Sequence, residues 1–232
     1  MRKVLKSVLV LSLFAGVLYS CNSNDAVVEK TPEAVNYSSL KIGNLTAGEI
    51  GKLHNSSLQV LKNNGTMKGS VTQIISTLQK SDFDNRISDN DIQNSLNDLY
   101  QTKLFTKNLT SPLSKKENID NFQEDALNFL ISKNEISQDA KTEINNLSTL
   151  DISSMKLKTN ELLVSTQFTS KEKEYFAVYT SIYENSNQFW SANHLTARVA
   201  PYAADAIGGI LGLYGGPVWS IIQGAACSAA FD

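Results

Sequence analysis

From Ala206 to Phe231 the chain carries no charged side chain, and small residues recur there at every fourth position. The row begins at Ala200 and Ala204 and continues through Gly208, Gly212, Gly216, Ser220, Gly224 and Ser228. Positions four apart share one face of a helix, so the row forms a ridge of missing side chains along which a second backbone can approach closely. Between the small positions stand Ile207, Ile210, Leu211, Leu213, Ile221 and Ile222. Six of the 12 glycines of the chain fall in this stretch, and each costs a helix about 1 kcal/mol relative to alanine. A helix here must therefore draw its stability from packing or from a membrane.

Pro217 lacks a backbone donor and turns Gly216 away from helical dihedrals. The pattern predicts two short helices, about Tyr202 to Tyr214 and Val218 to Ala230, hinged at Gly215, Gly216 and Pro217. Three readings of the tail compete. A continuous helix of this length would reach across a bilayer, but the hinge interrupts it and no lysine or arginine flanks its end. A buried hairpin completing a helical core is the second reading, and the one the hinge favours. The third is a membrane-active segment.

The opposite end is equally distinctive. MRKVLKSVLVLSLFAGVLYS places Arg2, Lys3 and Lys6 before an uncharged run from Ser7 to Ser20, which is the arrangement of a secretory signal peptide. It ends in Leu18, Tyr19, Ser20 and Cys21, a tetrad that resembles the lipobox of bacterial lipoproteins. The resemblance implies that the Cys21 thiol receives a diacylglycerol, that the signal is removed, and that the chain contacts a membrane through its N-terminal lipid. Two or three acyl chains are enough for firm anchoring. Asn22 after the cysteine is compatible with sorting to an outer membrane, and Asn22, Ser23, Asn24 and Asp25 open a polar tether. The expected organisation is a signal peptide over 1–20, a lipidated N-terminus and tether over 21–45, a helical domain over 46–199 and the glycine-rich apolar hairpin over 200–232. The tail itself, with its G-x-x-x-G face and its Gly208–Gly209 and Gly215–Gly216 pairs, resembles small helical bacteriocins over about its last thirty residues. That likeness implies association and insertion into target membranes.

The middle of the chain repeats helix-start chemistry followed by helical periodicity. Thr46 with Glu49 makes a capping box, and Ile50, Leu53, Leu58 and Leu61 follow on one face until Asn63, Asn64 and Gly65 stop the helix. Val71, Ile74, Ile75 and Leu78 form an i, i+3, i+4, i+7 stripe. Ser88 with Asp91 opens a helix through Leu104, Ser114 with Glu117 one carrying Phe122 and Phe129, and Ser137 one carrying Ala140, Ile144 and Leu147. Thr169 with Glu172 caps a long aromatic helix in which Tyr175, Phe176, Tyr179, Ile182, Tyr183 and Trp190 keep to one broad side. Met155, Leu157 and the cluster Leu162 to Val164 are the one place where a strand competes. The expected fold is all-α, an irregular helical bundle with a C-terminal glycine-rich helical hairpin.

Chemistry is sparse. The two histidines, His54 and His194, have no second histidine or cysteine at metal-ligand spacing. His54, beside Leu53, reads as a partly buried or surface histidine, and His194 as the close of the aromatic helix. The acids Asp82, Asp84, Asp89 and Asp91 fail the calcium-loop register, with Arg86 and Ile87 at the fifth and sixth positions, and read as a turn and helix cap. NNGTMKGS lacks the ending of a phosphate loop. No G-x-S-x-G elbow is present, so no catalytic residue, cofactor or metal is expected. A formal net charge of -2 leaves no basic footprint for nucleic acid. With Cys21 lipidated, Cys227 among alanines is a single thiol expected to be buried.

These readings converge on a lipid-anchored cell-envelope protein with a structural or interaction role and no catalytic activity, its hairpin a possible contact for a protein partner or a membrane. A bacteriocin-like protein acting through its tail is the alternative. An envelope hydrolase or binding protein whose site leaves no motif is a weaker one.

Overall fold

A computed structural model of the chain describes residues 35–67, 71–80, 116–192 and 201–231. Among these the fold is all-α. Eight helices run in chain order: α1 Ala47–Asn63, α2 Val71–Lys80, α3 Lys116–Ser132, α4 Gln138–Leu147, α5 Ile152–Val164, α6 Ser170–Ala192, α7 Pro201–Leu213 and α8 Pro217–Phe231. A 3-10 turn, Tyr37–Ser39, and a pair of two-residue antiparallel strands, β1 Lys41–Ile42 and β2 Leu45–Thr46, precede them. The packed chain thus begins ahead of residue 46, because Tyr37, Ile42 and Leu45 are buried. Signal peptide, lipobox, the Ser88 helix, the acids from Asp82 to Asp91 and His194 lie outside the described residues.

Cap chemistry sets the helix starts. Thr46 and Glu49 exchange both hydrogen bonds of a capping box at the head of α1, satisfying donors that a first turn leaves free. Gly65, with φ +64°, lies just past the end of α1. Ser137 accepts from the Ala140 backbone N–H at the head of α4. Asp151 does the same for Ser154 at the head of α5, and this cap carries the segment around Leu162 to Val164 into helix rather than strand.

α6 is the centre. Every residue from Tyr175 to Tyr183 is buried, the all-round burial expected of a helix surrounded by others. It packs against α1, α4, α5 and the α7–α8 pair. The polar residues it buries find partners across those contacts: Thr180 and Thr159 of α5 share a hydrogen bond of 2.7 Å. Tyr175 donates to Glu135 at 2.7 Å.

The tail folds as two helices laid against one another, joined at Tyr214, Gly215 and Gly216, the last with φ +108°. Pro217 opens α8. The pair packs on α6 and α1, with α3 against α7 and α2 against α8. Ile207, Ile210, Ile221 and Ile222 are no more than 1% exposed, so this stretch is core. None of the described helices is long and apolar enough to cross a membrane.

Candidate functional site

The glycines of the tail set how closely its neighbours approach. A methyl group on Gly208 would lie 2.5 Å from Cys227 Sγ and 2.9 Å from the Gln223 carbonyl oxygen, and one on Gly212 would lie 2.5 Å from the Trp219 carbonyl oxygen. Gly208 and Gly212 therefore hold α8 against α7. Gly224 faces two helices: its methyl would stand 2.8 Å from His54 Cδ2 of α1 and 3.2 Å from the Asp205 carbonyl oxygen of α7. Gly216 sits in the turn with open space around it, and a methyl on Gly215 would meet the Trp219 ring. Ser220 and Ser228 are fully buried.

That close approach at Gly224 brings together residues far apart in the chain. His54 of α1 and Asp205 of α7 are both 0% exposed, with Nε2 and Oδ2 3.8 Å apart. Two groups of α6 donate to the same carboxylate oxygen, the Ser186 hydroxyl and, at 3.3 Å, the Trp190 indole N–H. Both ring nitrogens of His54, Asp205 Oδ1, Gln223 Nε2 and Ser228 Oγ are buried without a hydrogen bond of good geometry. Burial raises the Asp205 carboxyl to about 7, against the pull of Ser186, Ser228 and Trp190. It lowers His54 to about 4, against the Asn55 side chain and the Gly224 backbone. Cys227, also buried, is pushed up by burial and by Asp205. Asp205 lies between Ser186 and His54, whereas a nucleophile relay needs the histidine in the middle. The cluster bonds α6 to α7 through Asp205 and sets His54 of α1 against that carboxyl group, beside α8.

A second polar constellation lies at the surface. A cleft of about 410 Å³ runs between the 3-10 turn, α1, α5 and α6, and its lining includes Tyr37, Glu49, Lys52, Lys156, Glu184 and Asn185. Glu184 accepts from the Tyr37 hydroxyl and, at 2.8 Å, from Lys156 Nζ. Burial pushes the Glu184 carboxyl up, but these two donors outweigh it and hold the group below its usual range. Burial and the Glu184 carboxylate push the Tyr37 phenol up, so it remains a donor. The Tyr37 N–H donates to Asn160 Oδ1 at 2.9 Å. The cleft offers charged and amide groups of both hydrogen-bonding senses to a polar partner.

Among the described residues no three histidine, cysteine or carboxylate side chains gather as a metal site. Of the residues singled out in the sequence, Cys21 lies outside the described residues. Gly208 and Gly212 line the α7–α8 contact, Gly224 and Ser228 lie against Asp205, and Cys227 is 1% exposed. Sequence reasoning missed Asp205 and the Glu184 cleft. Comparison with protein families, with characterised proteins and with solved structures returned no match.

Proposed function

We propose that the chain is a lipid-anchored cell-envelope protein, held through Cys21, whose helical domain serves a structural or interaction role. The observation that carries this reading is the burial of the tail. The apolar residues of α7 and α8 are spent on the core formed with α1 and α6, which favours attachment through an N-terminal lipid over a tail acting on membranes. The described domain begins at residue 35, two residues before the Tyr37 turn that lines the cleft around Glu184. On this reading the cleft is the face offered to a polar partner in the envelope.

Two experiments test it. Cells fed a clickable fatty acid should label the wild-type chain and leave Cys21→Ala unlabelled and released from the membrane fraction. A Cys21→Ala chain that still sediments with membranes overturns the anchor. A photo-crosslinking residue in place of Gln188, which lines the cleft, should trap a discrete partner in intact cells. A clean absence of adducts there, with adducts from Leu157 on the outer face of α5, overturns the cleft as the interaction surface.

A further inference from the structure

His54 and Asp205 are ionisable, fully enclosed, and carried by helices at opposite ends of the chain. A lone charge in such a place is costly, whereas a neutral pair or a mutually neutralising ion pair is tolerated. Both tolerated forms hold the same number of protons: a carboxylic acid beside a neutral imidazole, or a carboxylate beside an imidazolium. We propose that His54 and Asp205 form a one-proton latch that docks the α7–α8 hairpin on α1 and α6 and makes that docking insensitive to pH. Either residue without the other would turn the hairpin into a pH switch, and the two switches would have opposite signs.

The surroundings leave the pair to balance itself. α6 presents Ser186 and Trp190 to Asp205, and neither titrates. α8 presents Ser228 and Cys227, whose thiol is driven away from ionisation. Asn55 lies beside His54 on α1. Among the described residues neither partner makes an ion pair with a third group.

The signs follow from proton counts. In the unfolded chain, with ordinary values near 3.8 and 6.5, the two residues together hold one proton across that interval. In the folded chain burial moves Asp205 up to about 7 and His54 down to about 4, so the pair again holds one proton over nearly the same interval. Stability changes with pH only where the two states bind different numbers of protons, so the wild-type contribution is flat. With Asp205→Asn, His54 stands alone with a lowered value. Its unfolded form binds a proton that the folded form refuses, and stability falls as pH drops from about 6.5 towards 4. With His54→Gln, Asp205 stands alone with a raised value. Its folded form holds a proton that the unfolded form releases, and stability falls as pH rises from about 4 towards 7.

The test is urea denaturation of the mature chain at half-unit steps from pH 4.5 to 7, for wild type, both single variants and the double variant His54→Gln/Asp205→Asn. The double variant supplies the background from all other groups. Relative to it, the unfolding constant of Asp205→Asn should rise up to about tenfold per unit of acidification, that of His54→Gln should fall up to about tenfold, and wild type should stay level. Parallel profiles for the two single variants overturn the latch, as does a steep wild-type slope relative to the double variant. Should a single variant fail to fold, the imidazole resonances of wild-type His54, assigned with a His194→Gln variant, decide the question. A His54 ring that titrates as a free histidine near 6.5 also overturns the proposal.

Discussion

Replacing Gly212 by alanine sets two effects against each other in one helix. In isolation the change favours α7 by about 1 kcal/mol. In the fold, the new methyl lands 2.5 Å from the Trp219 carbonyl oxygen and 2.9 Å from Ser220 Cα. These are backbone atoms of α8, which no rotamer can move aside. Reaching the 3.4 Å of ordinary contact means parting the hairpin by most of an ångström at its closed end. A gap of that size forfeits a quarter to a half of each dispersion contact it opens along the α7–α8 seam. Overpacking of this kind costs about 1–3 kcal/mol, and rigid backbone on the receiving side places Gly212 at the upper end. The expected net loss is about 2 kcal/mol, or about 4–8 °C in Tm for a chain of this size.

Gly209 is the control. It lies in the same helix, but its methyl would meet the terminal carbon of Ile182 on α6, a side chain that can turn. An off-rotamer isoleucine costs about 0.5–1.5 kcal/mol, close to the propensity gained, so Gly209→Ala should lie near wild type. Urea melts followed by circular dichroism give the stabilities. Trp219, at the contact itself, gives a fluorescence reading of whether α8 has moved. A Gly212→Ala protein as stable as wild type, or a Gly209→Ala protein weaker than Gly212→Ala, refutes close backbone approach as the role of the glycine row.

Two further outcomes follow from side-chain bonds. Glu172 accepts from the Thr169 and Ser137 backbone N–H groups, each at 2.8 Å, and so ties the heads of α6 and α4 together; Glu172→Ala should cost about 2–3 kcal/mol by leaving both donors unpaired, read by urea melts at pH 7. Burial raises this carboxyl, but its hydrogen bonds outweigh that and hold it below its usual 4.5, so its stabilisation is present above pH 4.5 and is lost as pH falls through the lower folded value; acid melts of Glu172→Gln should lack that portion of the wild-type decline. Tyr37→Phe removes a donor to Glu184 and should cost about 1–2 kcal/mol, read as faster limited proteolysis around residues 35–40 with little change in the helical content of the domain.

Much of the fold was legible because its helix starts are written locally. Thr46 with Glu49 and Ser137 with Ala140 are short-range bonds that the chain makes with itself, and the stripe Ile50, Leu53, Leu58 and Leu61 is buried as its spacing requires. α5 was ambiguous for a physical reason. It buries Met155, Leu162 and Leu163 but leaves Leu157 and Val164 67% and 62% exposed, so its apolar residues follow no single face. The two-residue strands carry too short a pattern to read, and their pairing is set by Ile42 and Leu45 reaching the core.

The latch was half legible, and the half that was missing is instructive. Asp205 stands one residue before the uncharged run, three before Gly208 and seven before Gly212, which places its carboxylate on the same face as the glycine row. A charge on a face built for backbone contact must be neutralised or paired when that face closes. His54 falls between Ile50 and Leu58 at intervals of four, inside the apolar stripe of α1, and is fully buried rather than the partly buried or surface histidine expected. Each position thus implies a buried polar group in need of a partner. What local spacing cannot supply is that the two needs meet. That depends on α8 crossing beside both of them at Gly224, where a methyl would already press on His54 Cδ2 at 2.8 Å. Gly224 belongs to the same row of small residues as Gly208 and Gly212, yet it serves a second contact as well: all three bring α8 close to α7, and Gly224 also admits the imidazole of α1. A four-residue repeat of small side chains therefore marks where close approach occurs without saying which element approaches, and the ionisable residues left on the facing stripes are what resolve it.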